Sequence, residues 1–126
     1  MARLKTGIDI VDIERLESVI AKHGKRFLER VYTNAELEET KGNVASLAAR
    51  FAAKEAVGKA LGTGIGPIAW REIEIRRGAN REPLLYLHGS AQALAEELGL
   101  TTWSVSLSHT HSQATAVVVA LGEDGE

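Results

Sequence analysis

The stretch Arg50-Phe51-Ala52-Ala53-Lys54-Glu55-Ala56-Val57-Gly58-Lys59-Ala60-Leu61-Gly62-Thr63-Gly64 decides how the rest of the chain is read. Leu47, Phe51 and a series of alanines recur at helical spacing, which predicts the longest helix over about Val44 to Leu61. Gly62-Thr63-Gly64-Ile65-Gly66-Pro67 ends it, because glycine accepts the left-handed conformation of a helix C-terminus and proline cannot continue a helix. The second half of this helix is nearly bare of bulk around three charges, Lys54, Glu55 and Lys59. Small side chains there let another backbone, or a ligand, come close.

Upstream, Leu4 to Val11 reads as an opening strand interrupted at Gly7, with Ile8 and Ile10 on one face and Asp9 on the other. Asp12 is suited to cap a helix that turns Ile13, Leu16, Val19 and Ile20 inward as far as Gly24. A short helix with Phe27, Leu28 and Val31 follows, and Thr33-Asn34-Ala35-Glu36 has the capping-box spacing that opens another. Downstream, Ile73 and Ile75 alternate with Glu72, Glu74 and Arg76 in a strand expected to start near Trp70. A turn at Gly78-Ala79-Asn80 and the run Pro83–Leu87 complete a hairpin. Ser90 is read as the cap of a helix through Leu98, closed by Gly99. Trp103, Val105 and Leu107 then alternate with Ser104, Ser106 and Ser108 in a strand expected to pair with Ala114–Ala120, across a loop holding His109 and His111. Helices and hairpins without a βαβ rhythm predict an α+β fold, an antiparallel sheet with packed helices. One compact domain over 1–126 is expected, with about 122–126 as a frayed acidic tail.

Composition bounds the function. A chain of 126 residues, 44% apolar and 25% charged, buries a modest core, and completion of that core by self-association is expected. A net charge of −2 gives no general argument for nucleic acid or membrane as partner. The absence of cysteine excludes disulfides, thiolate nucleophiles and cysteine-based zinc sites, and fits a reducing compartment. With no apolar run long enough for a signal peptide or a membrane span, the chain is read as cytoplasmic.

The candidate residues each admit two readings. Asp9, an acid in the middle of a strand, is either exposed or salt-bridged, or it belongs to a site. Glu55 and Lys59 are one turn apart in the order that favours a surface ion pair, worth about 0.2–0.5 kcal/mol. The glycines at 62, 64 and 66 are a helix terminator or a place for phosphate, but they lack the pattern of a Walker loop. His109 and His111 are polar loop residues or metal ligands without a third partner. The alternating serines form the wet face of a sheet or line a phosphate site. Taken together, two carboxylates in a chain without cysteine suit a hard cation, and magnesium takes one or two carboxylates plus substrate phosphates. Lys59 would stand beside those phosphates as a point charge.

Three segments, in order, carry a family likeness. Gly7-Ile8-Asp9-Ile10-Val11-Asp12-Ile13-Glu14-Arg15-Leu16 resembles the first motif of the holo-[acyl-carrier-protein] synthases, the stretch quoted at the outset resembles their second, and Ser106-Leu107-Ser108-His109-Thr110 is similar to the closing motif. The likeness spans essentially the whole chain. Two departures are Lys5, where many relatives have glycine, and Arg81, where glycine is common in the turn beside the middle hairpin.

The resemblance implies a small, trimeric 4′-phosphopantetheinyl transferase that moves 4′-phosphopantetheine from coenzyme A to a serine of apo-acyl carrier protein, in support of fatty acid synthesis. It implies that Asp9 and Glu55 bind Mg2+, that Lys59 contacts phosphate, and that these three carry the catalysis. Gly62, Gly64, Ser108, His109 and Thr110 are implied in coenzyme A binding, at a cleft between subunits. Arg15, Lys22, Lys25, Arg26 and Arg30 are implied in docking the acidic helix of the carrier, and their concentration in sixteen positions of a nearly neutral chain is consistent with electrostatic steering. Two rival classes remain at this stage. A phosphate-binding module would use Lys59, His109 and the glycine loop, but two acids beside an anion argue against it. A purely structural α+β protein leaves the small residues around Glu55 unexplained.

Overall fold

The computed structural model describes residues 2–123. Its elements run β1 (Ala2–Asp12), α1 (Ile13–His23), α2 (Lys25–Val31), α3 (Asn34–Thr40), α4 (Val44–Leu61), β2 (Ile73–Arg77), β3 (Pro83–Leu87), α5 (Gly89–Glu97), β4 (Leu100–His109) and β5 (Gln113–Glu123). β1, β5 and β4 form an antiparallel sheet with β5 in the middle, and β2 pairs with β3 in a separate hairpin. The α+β class with an antiparallel sheet is as the sequence predicts.

The fold turns on how closely α4 lies against the three-stranded sheet. The inward face of β5 is Ala114, Ala116, Val118 and Ala120, and the facing residues of α4 include Ala52, Ala53, Ala56 and Val57, all buried. Small residues on both sides bring the helix backbone down onto the strands. At Gly7 of β1 the approach is such that a Cβ would fall 1.8 Å from the carbonyl oxygen of Ala56. The backbone that the bare half of α4 admits is therefore β1 itself. Gly7 does not interrupt the strand: β1 pairs with β5 from Ala2↔Glu123 to Asp12↔Gln113 without a break. Missing side-chain bulk, rather than a bend, is what this glycine supplies.

Local capping follows the sequence closely in the first half. Asp12 accepts a hydrogen bond from the Arg15 amide at 3.0 Å and starts α1. Thr33 and Glu36 form the reciprocal capping box of α3. Glu36 has a second task, because it is fully buried and accepts the ammonium of fully buried Lys54 at 2.8 Å. Lys54 also donates to the Trp70 carbonyl at 3.1 Å and to that of Ile73, while Glu36 accepts the Ile75 amide at 2.9 Å. This network joins α3, α4 and β2. Burial pushes the Lys54 ammonium down and Glu36 opposes that shift, so the pair is sustained by its hydrogen bonds.

Three boundaries differ from expectation. Trp70–Glu72 is a 3-10 turn rather than strand, because Glu72 turns back to accept the Ala69 amide at 2.7 Å and Trp70 stacks on Phe51 at 4.7 Å. Ser90 lies inside α5, which starts at Gly89; its amide and hydroxyl both donate to Glu72 at 2.7 Å, so a carboxylate from outside the helix does the capping. β5 continues through Gly122 and Glu123, where the tail was expected to begin; Gly122 pairs with Arg3 and Leu100, and 124–126 lie outside the described residues. The hairpin turn places Arg81 at φ 66°, a left-handed conformation that favours glycine. The glycine that the family resemblance leads one to expect at this position would adopt it without strain.

Candidate active site

Asp9 pairs with Ala116 on the sheet face that α4 covers, two residues beyond the close crossing at Gly7. Its backbone is fixed by Thr115, whose hydroxyl donates to the Asp9 carbonyl at 2.8 Å. The side chain is 20% exposed, and the Lys59 ammonium reaches across from α4 to donate to its Oδ1 at 3.0 Å and to the Ile8 carbonyl at 2.8 Å. Lys59 thus pairs with Asp9 across two elements rather than with Glu55 along its own helix. Glu55, one turn before Lys59, is half-buried beside them. Burial pushes its carboxyl up, the adjacent Asp9 charge pushes it further, and Lys59 only partly offsets this. Two carboxylates held side by side on rigid elements form a site that a cation relieves.

The donors fit magnesium. Both are hard oxygens, and among the described residues no group of three or more His, Cys, Asp or Glu stands ready to hold a metal alone. Magnesium is bound in this way, by one or two carboxylates together with water and substrate phosphates.

Beyond Lys59 the glycine loop folds back on the helix. The amides of Gly62, Thr63 and Gly64 donate to the Gly58 carbonyl at 3.1, 3.2 and 3.0 Å. Gly62 and Gly64 have φ of 85° and 67°. Their N–H groups are thus engaged in ending α4, so what they offer a ligand is bare backbone surface.

Ser108, His109 and Thr110 lie elsewhere. His109 is the last residue of β4 rather than a loop residue. Thr110 closes the turn, its Oγ1 accepting the amides of Ser112 and Gln113 at 3.1 Å. Ser108 and His109 border a cavity of about 500 Å³ whose other walls carry Arg50, Arg76, Arg77 and Arg81. Neither Asp9, Glu55 nor Lys59 lines it. Glu39 organises these bases, accepting Arg50 at 3.1 Å, Arg76 at 3.0 Å and the Arg77 amide at 3.1 Å. Arg50 is only 4% exposed, and its buried Nη1 has no partner among the described residues. Four arginines around one cavity make it a place for an anion. Sequence reasoning assigned these arginines no role; the one signal was the cluster Arg76-Arg77 with Arg81, and only folding brings Arg50 to it.

A second cavity, of about 440 Å³, extends from Asp9 along α1 and is lined by Arg15, Leu16, Val19, Phe27 and Phe51 among others. Arg15 therefore shares a surface with Asp9. Lys22, Lys25, Arg26 and Arg30 are exposed on α1 and α2, and Lys25 pairs with Glu29 at 3.8 Å.

Comparison with known proteins gives the family. Residues 5–118 match the model of the 4′-phosphopantetheinyl transferase superfamily. The chain is 48% identical over 126 residues to the holo-[acyl-carrier-protein] synthase of Herpetosiphon aurantiacus, covering 94% of this chain and 99% of that one. It is 50% identical over 119 residues to the synthase of Moorella thermoacetica, covering 92% of each. The crystal structure of the Helicobacter pylori holo-[acyl-carrier-protein] synthase in complex with coenzyme A superposes with a TM-score of 0.84 at 35% identity, over 91% of this chain and 98% of that one. The chain belongs to the 4′-phosphopantetheinyl transferase superfamily, and within it to the holo-[acyl-carrier-protein] synthases.

Proposed function

We propose that this enzyme transfers 4′-phosphopantetheine from coenzyme A to a serine of apo-acyl carrier protein in a magnesium-dependent reaction, with Asp9 and Glu55 as the metal ligands. The observation that carries the reading is the assembly of Asp9, Glu55 and Lys59 where β1 crosses α4. The carrier serine oxygen bonds to the β-phosphorus of coenzyme A as the bond to the adenosine-bearing phosphate breaks; adenosine 3′,5′-bisphosphate leaves, and the serine proton passes to a water in the site. Magnesium, when bound, offsets the pyrophosphate charge and stabilises the departing phosphate. Asp9 and Glu55 fix that charge against the sheet, and Lys59 adds a mobile positive charge beside the phosphates. Arg15 lies on the apolar cavity that begins at Asp9, so a carrier docked on α1 and α2 through Arg15, Lys22, Lys25, Arg26 and Arg30 would approach from this side.

The arginine-lined cavity, with Ser108 and His109 at its rim, is suited to the 3′-phosphate of coenzyme A through the positive charge of Arg50, Arg76, Arg77 and Arg81. Because it is separate from the acidic site, we propose that a coenzyme bound at the metal of one subunit places its 3′-phosphate in the cavity of a neighbour. The neighbour this requires, in the homotrimer that the resemblance implies, is supported by the outward face of the main sheet. Leu4, Ile8 and Ile10 there are 61–63% exposed, next to Val117, Val119 and Leu121. A role in fatty acid synthesis in the cytoplasm is part of the same reading. No helix of the described residues is long and apolar enough to cross a membrane.

The test is to incubate the protein with apo-acyl carrier protein, coenzyme A and Mg2+ and weigh the carrier by mass spectrometry. A phosphopantetheine mass gain that EDTA abolishes is expected. Asp9→Ala and Glu55→Ala should each lose the transfer by at least about a hundredfold while remaining folded. Near-normal turnover in either variant sinks the metal assignment.

A further inference from the structure

We propose that Lys59 acts as the resident counter-cation of the metal position. Its ammonium and a divalent cation compete for the Asp9 carboxylate, so the metal binds more tightly once Lys59 is drawn away onto substrate phosphates. The inference rests on the assignment of Asp9 and Glu55 as metal ligands and adds to it an order of binding.

The geometry carries the argument. Lys59 Nζ lies 3.0 Å from Asp9 Oδ1 and is anchored a second time by the Ile8 carbonyl at 2.8 Å. A magnesium ion on the same carboxylate would sit about 2.1 Å from its oxygen. That puts a double positive charge against the ammonium, and two cations so close repel strongly. Lys59 is the group that can yield. Its head is a compact charge on a flexible stem, its side chain is 53% exposed, and neither of its bonds lies in the core. Glu55 cannot take over as its partner without giving up its own place at the metal.

Charge sets the direction of the exchange. Two carboxylates and one ammonium leave a single net negative charge, a weak attraction for a divalent ion alone. Pyrophosphate changes both sides of the balance, offering the ammonium a new partner and the metal extra oxygen ligands. Metal and coenzyme A therefore bind with positive coupling, which is reciprocal by linkage. Lys59 also partly offsets the repulsion between the two carboxylates before the metal arrives.

The experiment measures metal binding without coenzyme A and without turnover. Mn2+ serves as the probe, its free concentration read from the solution EPR signal, for the wild type, Lys59→Met, Asp9→Asn and Glu55→Gln. Lys59→Met is expected to bind Mn2+ about tenfold tighter than the wild type, within the range of ordinary coupling between sites. Calorimetry should show the same variant binding coenzyme A more weakly. Lys59→Gln should repeat both effects and carries the test should the methionine variant fold poorly. Mn2+ affinity unchanged or weaker in both Lys59 variants, with Asp9→Asn abolishing it, overturns the competition and leaves the metal site standing. Undetectable Mn2+ binding in the wild type and both Lys59 variants also overturns it. If Asp9→Asn and Glu55→Gln bind Mn2+ as the wild type does, the metal assignment itself fails, and this inference with it.

Discussion

Glu39 shows how one carboxylate can hold a basic cavity together. Burial disfavours its charge, but hydrogen bonds from Arg76, the Arg77 amide and Arg50 outweigh that, so its carboxyl stays below the ordinary value of 4.5. A folded-state value below the unfolded one adds stability at pH above the unfolded value, and that contribution is lost as pH falls through the folded value. Glu39→Gln should therefore cost about 1–2 kcal/mol near neutral pH, measured by urea unfolding, and that cost should shrink below about pH 4. A cost that persists undiminished in acid would place the role of Glu39 in shape rather than charge. Because Arg50 and Arg76 rely on it, the same variant should also bind coenzyme A less tightly.

At the scale of elements, the crossing of β1 and α4 sets the site. Gly7→Ala directs a methyl group into the Ala56 carbonyl, a backbone atom that cannot swing aside. The strand or helix must shift, at a cost of about 3 kcal/mol or more. Asp9 lies two residues along the strand, so activity should fall even at temperatures where the variant is folded; a thermal melt and a transfer assay separate the two effects. The α1–α2 surface calls for a different measurement. Reversing Arg15 and Arg26 to Glu should raise KM for the carrier protein about tenfold or more and lessen its dependence on salt, while coenzyme A affinity is spared. An unchanged KM would remove the docking assignment from this surface.

For the whole molecule, the question is what covers the main sheet. β1 and β5 turn Leu4, Ile8, Ile10, Val117, Val119 and Leu121 away from α4, beside the hydroxyl row Ser104, Ser106 and Ser108 of β4. An apolar face of this extent suits the interface that the proposed homotrimer requires. If the proposed homotrimer forms through this face, Ile8→Lys at its centre should give monomers in sedimentation velocity, and transfer should fall with the loss of the neighbour's cavity. A monomeric variant with full activity would show that each chain holds a complete site.

Much of this was legible in the amino-acid order because its cause is local. Helical spacing, the Asp12 cap, the Thr33–Glu36 capping box and the Gly62 stop depend on neighbours within a few residues, and α4 was read to its ends. Asp9, Glu55 and Lys59 are legible as chemistry, since two of the three family-like segments carry them. What lay out of reach depends on residues far apart in the chain. Whether Gly7 interrupts a strand or clears space for a helix is decided by where Ala56 lies. Glu72 displaces Ser90 as the cap of α5 because the hairpin returns it there. Arg50 meets Arg76 and Arg77 only through Glu39. Local order in the chain set most of the elements and singled out Asp9 and Glu55 as the candidate acidic pair. Tertiary structure alone decided that Lys59 pairs with Asp9 rather than Glu55, because a 3.0 Å ion pair between β1 and α4 depends on how closely their small residues let them pack.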